Sequence, residues 1–244
     1  MIAIKTEKLR KEYKDIVAVD DLDLEIEEGE LFSLLGVNGA GKTTTIKMLT
    51  TLAKPTSGEA FILGNPITGD RQKITEIVDV SMQQTAVARN LTVEENLEFY
   101  CAIKGVEKQR VEEVKQKMYR VFGLEKVAKK RAKLLSGGWQ RKLSIALSLV
   151  GSPKVLFLDE PTLGLDVIAR RELWKTIESL KGAMTIVLTT HYMEEAEALS
   201  DRIGVMKDGK LLFVGNKERL FEQTKTQSVE DAFIRLVEGG NGHA

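Results

Sequence analysis

Two rhythms run through the apolar residues of this chain. Leu22, Leu24 and Ile26 alternate with Asp23, Glu25 and Glu27, the period-two pattern of a strand with one wet face. After Glu28-Gly29, the mostly apolar run Leu31 to Leu35 reads as a buried strand. A glycine-rich loop and a helix from about Gly41 to Leu52 follow, and Thr56-Ser57-Gly58 predicts a turn into another strand, Ala60 to Leu63. From about Val93 to Val150 the spacing becomes helical, with Val111, Val114, Met118, Val121 and Phe122 on one face. Strand character returns at Val155–Leu158 and Thr185–Leu188, separated by a helix whose Trp174 is expected in the core. Ile203–Met206 and Leu211–Val214 flank Asp208-Gly209, a hairpin signal. Two short helices close the pattern, and Gly239 to Ala244 reads as a frayed tail. Alternating strands and helices predict an α/β core with a parallel sheet, and the central helical stretch reads as an insertion into it.

Composition narrows the function. Hydrophobic residues make up 43% of 244 positions, enough for a core, and the formal net charge is zero, which supplies no overall field for nucleic acid or acidic lipid. The local basic cluster Lys129, Lys130, Arg131 and Lys133 reads as a solvated helix end. The single cysteine, Cys101, cannot form an internal disulfide; it fits a reducing compartment and a packing role. The first residues lack the apolar core of a signal peptide. No apolar run approaches the ~20 residues that span a bilayer, so any membrane connection is expected through another polypeptide.

Candidate chemistry concentrates in two places. Gly36-Val37-Asn38-Gly39-Ala40-Gly41-Lys42-Thr43 matches G-x-x-x-x-G-K-[ST] between a predicted strand and a predicted helix. Glycines let the backbone curl so that its N–H groups face phosphate oxygens, and the helix N-terminus adds partial positive charge. Lys42 can neutralise the outer phosphates, Thr43 can ligate Mg²⁺, and Thr44 adds a further phosphate contact. The second place is Val155-Leu156-Phe157-Leu158-Asp159-Glu160, an apolar strand ending in two carboxylates. In open α/β sheets ligands bind beyond the carboxyl ends of the strands. Asp159 is then placed to hold Mg²⁺ through water and Glu160 to polarise an attacking water. Gly204 to Lys210 repeats the glycine and lysine spacing of the phosphate loop, but Leu211 stands where the metal-binding hydroxyl is needed, and the hairpin already accounts for Gly209.

Leu135-Ser136-Gly137-Gly138 opens a long predicted helix between the phosphate loop and the acidic strand. With this segment the chain resembles the nucleotide-binding domain of ABC transporters along nearly its whole length. Tyr13 is similar to the aromatic that stacks on adenine. Gln83, beside Gln84, is similar to the Q-loop glutamine, placed by the family at the metal and the catalytic centre. Gly164-Leu165-Asp166 resembles the D-loop, and His191 the switch histidine. The resemblance implies a P-loop NTPase of the α/β class with a RecA-like core, an antiparallel β subdomain and an inserted helical subdomain. It implies one domain over 1–238: residues 1–84 and 151–225 form the ATP-binding core with the β portion, 85–150 the helical part, and 226–238 a C-terminal helix. ATP and Mg²⁺ are the implied ligands. Ser136, Gly137, Gly138 and Asp166 would contact the nucleotide held by a facing ATP-binding subunit in a two-fold dimer, expected to be a homodimer. The implied partner is a separate integral membrane permease, with the chain on the cytoplasmic face of the cell membrane and no nucleic-acid partner.

Ser228 to Ile234 and His191 to Glu197 resemble the exporter-type ATPases of drug resistance. A soluble ABC ATPase acting on DNA or the ribosome is the competing reading; such relatives carry two ATPase halves or long coiled coils, and this chain has one phosphate loop and no heptad run. A GTPase would need N-K-x-D, and Asn216-Lys217-Glu218-Arg219 ends in Arg. Two departures from the family pattern stand out. Trp139 replaces the usual glutamine of the signature, which bears on local packing there, and Leu163 replaces a small polar residue of the D-loop.

Overall fold

The computed structural model describes residues 1–239. Its centre is a six-stranded sheet, ordered β10-β9-β3-β8-β7-β6. In chain order these are β3 (Leu31–Leu35), β6 (Val78–Ser81), β7 (Val155–Asp159), β8 (Thr185–Thr190), β9 (Arg202–Lys207) and β10 (Lys210–Gly215). All neighbours run parallel except the β9–β10 hairpin. Strands β3, β7 and β8 are buried at every residue, as expected of strands covered on both faces. The expected parallel core is present; β6, too short and mixed in polarity to read as a strand, completes one edge.

A second, antiparallel sheet holds β1 (Ile2–Tyr13), β2 (Ile16–Glu27), β4 (Ser57–Ile62) and the short β5 (Asn65–Pro66), in the order β2-β1-β4-β5. The alternation at Leu22, Leu24 and Ile26 buries these three side chains and exposes Asp23 and Glu25 between them. β4 begins at Ser57, so the expected turn at Ser57-Gly58 is instead strand. It opposes a bulge in β1, where Glu7 pairs with Glu59 and Arg10 with Ser57. The extra residue lets Lys8 take a left-handed backbone and donate its N–H to Asp23 Oδ1 at 2.7 Å.

Helix α1 (Lys42–Leu49) ends earlier than expected, because Thr51 takes a positive φ of 58° after the Thr50 cap. The central stretch is helical as expected: α3 (Val93–Ile103), α4 (Val111–Phe122) and α5 (Gly137–Leu149), preceded in the chain by the short α2 (Arg71–Ile77). A capping box between Thr92 and Glu95 starts α3. The apolar face of α4 buries Val114, Met118 and Phe122. Lys115 fastens α4 to α3, reaching Glu94 at 2.8 Å and Glu98 at 2.7 Å. Their core is continuous with one face of the central sheet, where Leu143 and Ile145 of α5 join Leu156 and Leu158 of β7 and Leu188 of β8. The basic cluster at Lys129 to Lys133 lies in a bend between short 3-10 turns, not at the end of a helix.

Helices α6 (Val167–Glu178), α7 (Met193–Leu199), α8 (Lys217–Thr224) and α9 (Val229–Gly239) complete the order. The last two pack on β9 and β10 through Leu220, Val229 and Phe233. Gly239 belongs to α9, not to a frayed tail; the rest of the expected tail lies outside the described residues. Cys101 is buried. Trp174 is half-buried against the core, with its indole N–H donating to Glu195 Oε1 at 2.9 Å. Among the described residues no helix is long and apolar enough to cross a membrane.

The bulge makes Gly58 a sensitive position. Its φ is +75°, and a methyl there would run into the Lys8 carbonyl. Gly58→Ala is expected to lower unfolding stability by at least about 1–2 kcal/mol from the backbone alone, read as a lower urea midpoint with an unchanged slope.

Candidate functional site

The carboxyl ends of β3, β6, β7 and β8 lie at one edge of the sheet, and each delivers a segment singled out from the sequence. β3 runs into the phosphate loop, β6 into Gln83, β7 into Asp159 and Glu160, and β8 into His191. The loop turns at Gly39 (φ 84°) and Gly41 (φ 106°). A Cβ at Gly36 would stand 2.5 Å from Met206 O, so only glycine lets the loop sit against β9. The rejected second glycine-lysine segment has a supporting place here: Gly209 of the hairpin donates its N–H to Ala40 O at 3.1 Å and accepts from Asp20 N at 2.9 Å.

Lys42 is 5% exposed. Its ammonium donates to Gly36 O at 2.7 Å and Val37 O at 3.2 Å and lies 3.5 Å from Glu160 Oε1. Burial pulls its pKa below the usual lysine value, and the Glu160 and Asp159 carboxylates oppose that pull. Thr43 donates to the Asp159 carboxylate at 3.0 and 3.1 Å, and Thr189 donates to the same group at 2.6 Å. Glu160 takes a left-handed backbone, φ 47°. Its N–H is held by Thr189 O at 3.0 Å and Thr189 Oγ1 at 3.1 Å, and its Oε2 lies 2.9 Å from His191 Nδ1.

A cavity of about 440 Å³ opens over these groups. Asn38 to Thr44, Gln83, Glu160 and Ala18 line it. Gln83 faces the cavity and Gln84 does not. Asp159 and Thr43 offer a hydroxyl and a carboxylate within 3.1 Å of one another, the hard-oxygen chemistry that suits Mg²⁺.

Other expected residues stand apart from the cavity lining. Tyr13 is exposed at the end of β1, with Lys11 Nζ 4.7 Å from its ring centre. Ser136 is the N-cap residue of α5 but makes no side-chain capping bond, and it and Gly137 are exposed. Asp166 caps α6, accepting from Ile168 N and Ala169 N at 2.9 Å each. Trp139 is half-buried against the core, with Lys142 Nζ 4.9 Å from its ring centre. Leu163, Val167 and Ile168, which flank Asp166 in the sequence, are exposed.

Two buried charged residues beside the site are not marked by any motif. Arg141 of α5 is 4% exposed and reaches the backbone beside Gln83 and Glu160. Glu195 of α7 is fully buried behind the His191 loop. Desolvation raises its carboxyl above the usual range, against the opposing pull of Thr190, Thr162, Trp174 and Arg170. Neither has a sequence signal, because both sit among ordinary helical charges.

The family model for ABC transporters matches residues 19–163. The chain belongs to the ABC transporter family. It is 47% identical over 203 residues to the human phospholipid-transporting ATPase ABCA3, an alignment covering 83% of this chain and 12% of that protein. It is 38% identical over 240 residues to the probable multidrug ABC transporter ATP-binding protein YbhF of Escherichia coli, covering 96% of this chain and 41% of that one. The chain thus spans well under half the length of these relatives. Its structure superimposes on cbiO1 of Clostridium perfringens, described as part of the transporter complex cbiONQ, with TM-score 0.83 and 27% identity over 99% of this chain and 98% of that one. A further ATP-binding cassette, solved as a dimer after hydrolysis with ADP and Pi, gives TM-score 0.78 and 28% identity over 87% and 98% of the two chains. The fold expected from the sequence is therefore the one found, that of an ABC ATPase domain.

Two predictions follow from this geometry. Lys42→Ala is expected to weaken ATP binding about tenfold or more, by loss of a charge-assisted phosphate contact, measured by titration with a fluorescent ATP analogue; unchanged affinity would remove Lys42 from the site. For Glu195, the folded chain keeps its proton to higher pH than the unfolded chain, so stability falls as pH rises above the ordinary value of 4.5. Glu195→Gln removes that loss. Its melting temperature should exceed that of the parent at pH 8, with the gap narrowing as pH is lowered towards 5.

Proposed function

We propose that residues 1–238 act as one ATPase domain that hydrolyses MgATP between two facing ATP-binding subunits and so drives a separate membrane permease, in the export direction. The observation that carries this reading is the convergence of Lys42, Thr43 and Glu160 on one cavity lined by the phosphate loop, with Asp159 buried against Thr43. The glycine-rich loop that lines the cavity and the start of α1 suit a polyphosphate, and Lys42 suits its outer charges. Thr43 and Asp159 would hold Mg²⁺, with Gln83 as a further oxygen donor from the cavity wall. When bound, the ion neutralises charge on the phosphates.

Glu160 is the base that orients and polarises the attacking water. Its carboxylate lies between Lys42 and His191, which fixes where it points, and His191 would sense the γ-phosphate. Tyr13, at the end of its strand, would stack on the adenine. Ser136, Gly137, Gly138 and Asp166 would complete the site of a second copy. The exposure of Ser136, Gly137 and Asp166 supports this, as does that of the apolar Leu163, Val167 and Ile168. A helix N-terminus whose serine makes no capping bond has N–H groups and a hydroxyl left to offer a phosphate. The dimeric state of one structural neighbour, the complex named for another and the multidrug name of a relative support the assembly and the direction. With no membrane-crossing helix among the described residues, a cytoplasmic position on the inner membrane face follows from binding the permease.

Glu160→Gln keeps the shape of the side chain but loses its charge and basicity. Turnover should fall about a hundredfold or more while ATP still binds. Light scattering after size separation should then show a dimer with MgATP and a monomer without it. Full hydrolysis in this variant would remove Glu160 from its role; a monomer with ATP bound would exclude the unaided homodimer.

A further inference from the structure

The guanidinium of Arg141 uses every donor it has, and all on backbone. Its Nε donates to Pro161 O at 2.7 Å, Nη1 to Met82 O at 2.6 Å and Gln83 O at 3.1 Å, and Nη2 to Asp159 O at 2.9 Å and Glu160 O at 2.7 Å. A guanidinium has five N–H groups, so none is spare. Buried charges are normally paired with an opposite charge. Arg141 makes no ion pair within 4.0 Å among the described residues, although Asp159, Glu195 and Glu160 exert a favourable field on it. Burial lowers its pKa to about 10, which leaves it charged at neutral pH.

The carbonyls it holds come from two segments that the sheet has released. β6 ends at Ser81, one residue before Met82, and β7 ends at Asp159. Beyond those ends the peptide of Gln83 has no ladder bond among the described residues, and that of Glu160 keeps one to β8, its N–H to Thr189 O at 3.0 Å. Glu160 also carries a left-handed backbone, which an ordinary side chain adopts only where its surroundings enforce it. β8 holds its N–H through Thr189, and its carbonyl accepts from Arg141 at 2.7 Å and, less closely, from Leu163 N at 3.2 Å. Arg141 itself sits one turn into α5, the helix opened by Ser136, Gly137 and Gly138.

We infer that Arg141 is a positioning residue that fixes the backbones of Gln83 and Glu160 to the signature helix, so that the residues facing the γ-phosphate and the segment facing a partner's nucleotide move as one body. This rests on the proposed function above. Arg141 touches no cavity-lining atom of the phosphate loop, so its loss should act on turnover and spare ATP binding. Lysine cannot replace it, because an ammonium has at most three donors and no fork to span two loops.

The test compares Arg141→Lys and Arg141→Gln with Leu143→Ala, which removes a fully buried side chain from the same helix without touching either loop. Each variant is checked for folding by circular dichroism and thermal melting, then assayed below its melting temperature for ATP affinity and kcat. Wild-type turnover checks the underlying ATPase reading; the split between affinity and kcat in the variants checks the clamp. In both Arg141 variants we expect kcat to fall about tenfold or more, with ATP affinity within about threefold of wild type. Leu143→Ala should keep kcat within about threefold although it is destabilised. Arg141→Lys with wild-type kcat, an equal loss of kcat in folded Leu143→Ala, or failure of both Arg141 variants to fold would each overturn the inference and leave Arg141 a structural residue.

Discussion

The whole arrangement depends on keeping a carboxylate at the dry end of a strand. Asp159 is 1% exposed and closes β7, a strand with no wet residue. A buried carboxylate is costly unless hydrogen bonds replace its water. The donors here are two threonine hydroxyls, Thr43 from the start of α1 and Thr189 from the end of β8. One comes from a loop–helix junction and the other from a strand end, so satisfying one charge fixes the relative height of the phosphate loop and of two neighbouring strands. Thr189 then does a second job, because its hydroxyl and carbonyl both accept the Glu160 N–H. The acidic pair is thus one structural unit: Asp159 is held by side chains, and in being held it sets where Glu160 starts.

The same logic explains why the site tolerates so much unusual backbone. Gly39, Gly41 and Glu160 all have positive φ. The glycines need no compensation; Glu160 does, and its peptide is gripped on both sides. The hairpin behind the loop contributes the counterpart for the glycines, with Gly209 bonded to Ala40 and Asp20 and with Met206 filling the space that side chains at Gly36 and Gly41 would claim. A loop that must present N–H groups to a ligand cannot use those groups for its own stability. Its rigidity is borrowed from β9, β10 and β2, far away in sequence and dense in apolar contact.

What was legible in the sequence follows from this division. The phosphate loop, Asp159 and Glu160 could be read because each lies at a strand end whose apolar run is itself visible, and local spacing carried the chemistry; His191 also follows a strand, but its role came only with the family resemblance. The helical stretch could be read because α4 keeps its period from Val114 to Phe122. β6 could not: four residues with Asp79 among them carry too little pattern, and the strand exists because β7 offers it a parallel edge. The turn expected at Ser57-Gly58 failed for a related reason, since the β1 bulge draws those residues into the sheet. Arg141 was hidden more deeply. Its acceptors are carbonyls between 18 and 59 positions away, and carbonyls leave no trace in the identity of the residues that bear them. Trp139 was visible as a departure, but only the fold shows its ring against the core and under Lys142.

That last point bears on how the family's signature can vary. In the proposed assembly the segment Ser136 to Gly138 meets a nucleotide through a hydroxyl and main-chain N–H groups, which a change of side chain at the next position does not remove. The constraint at position 139 is then one of packing. Trp139 turns part of its ring into the core, and Lys142 stacks on it while reaching Glu172 on α6 at 2.8 Å. The helix that begins at the signature is thereby tied to the helix that begins at Asp166. Both N-termini belong to the proposed partner-facing side, where Val167 and Ile168 are 61% and 73% exposed. A glutamine in place of Trp139 would offer polar contacts but little of this apolar area. On this reading the tryptophan trades a polar group near the interface for a firmer joint between its two helices, and the geometry of the trans contacts is set by that joint.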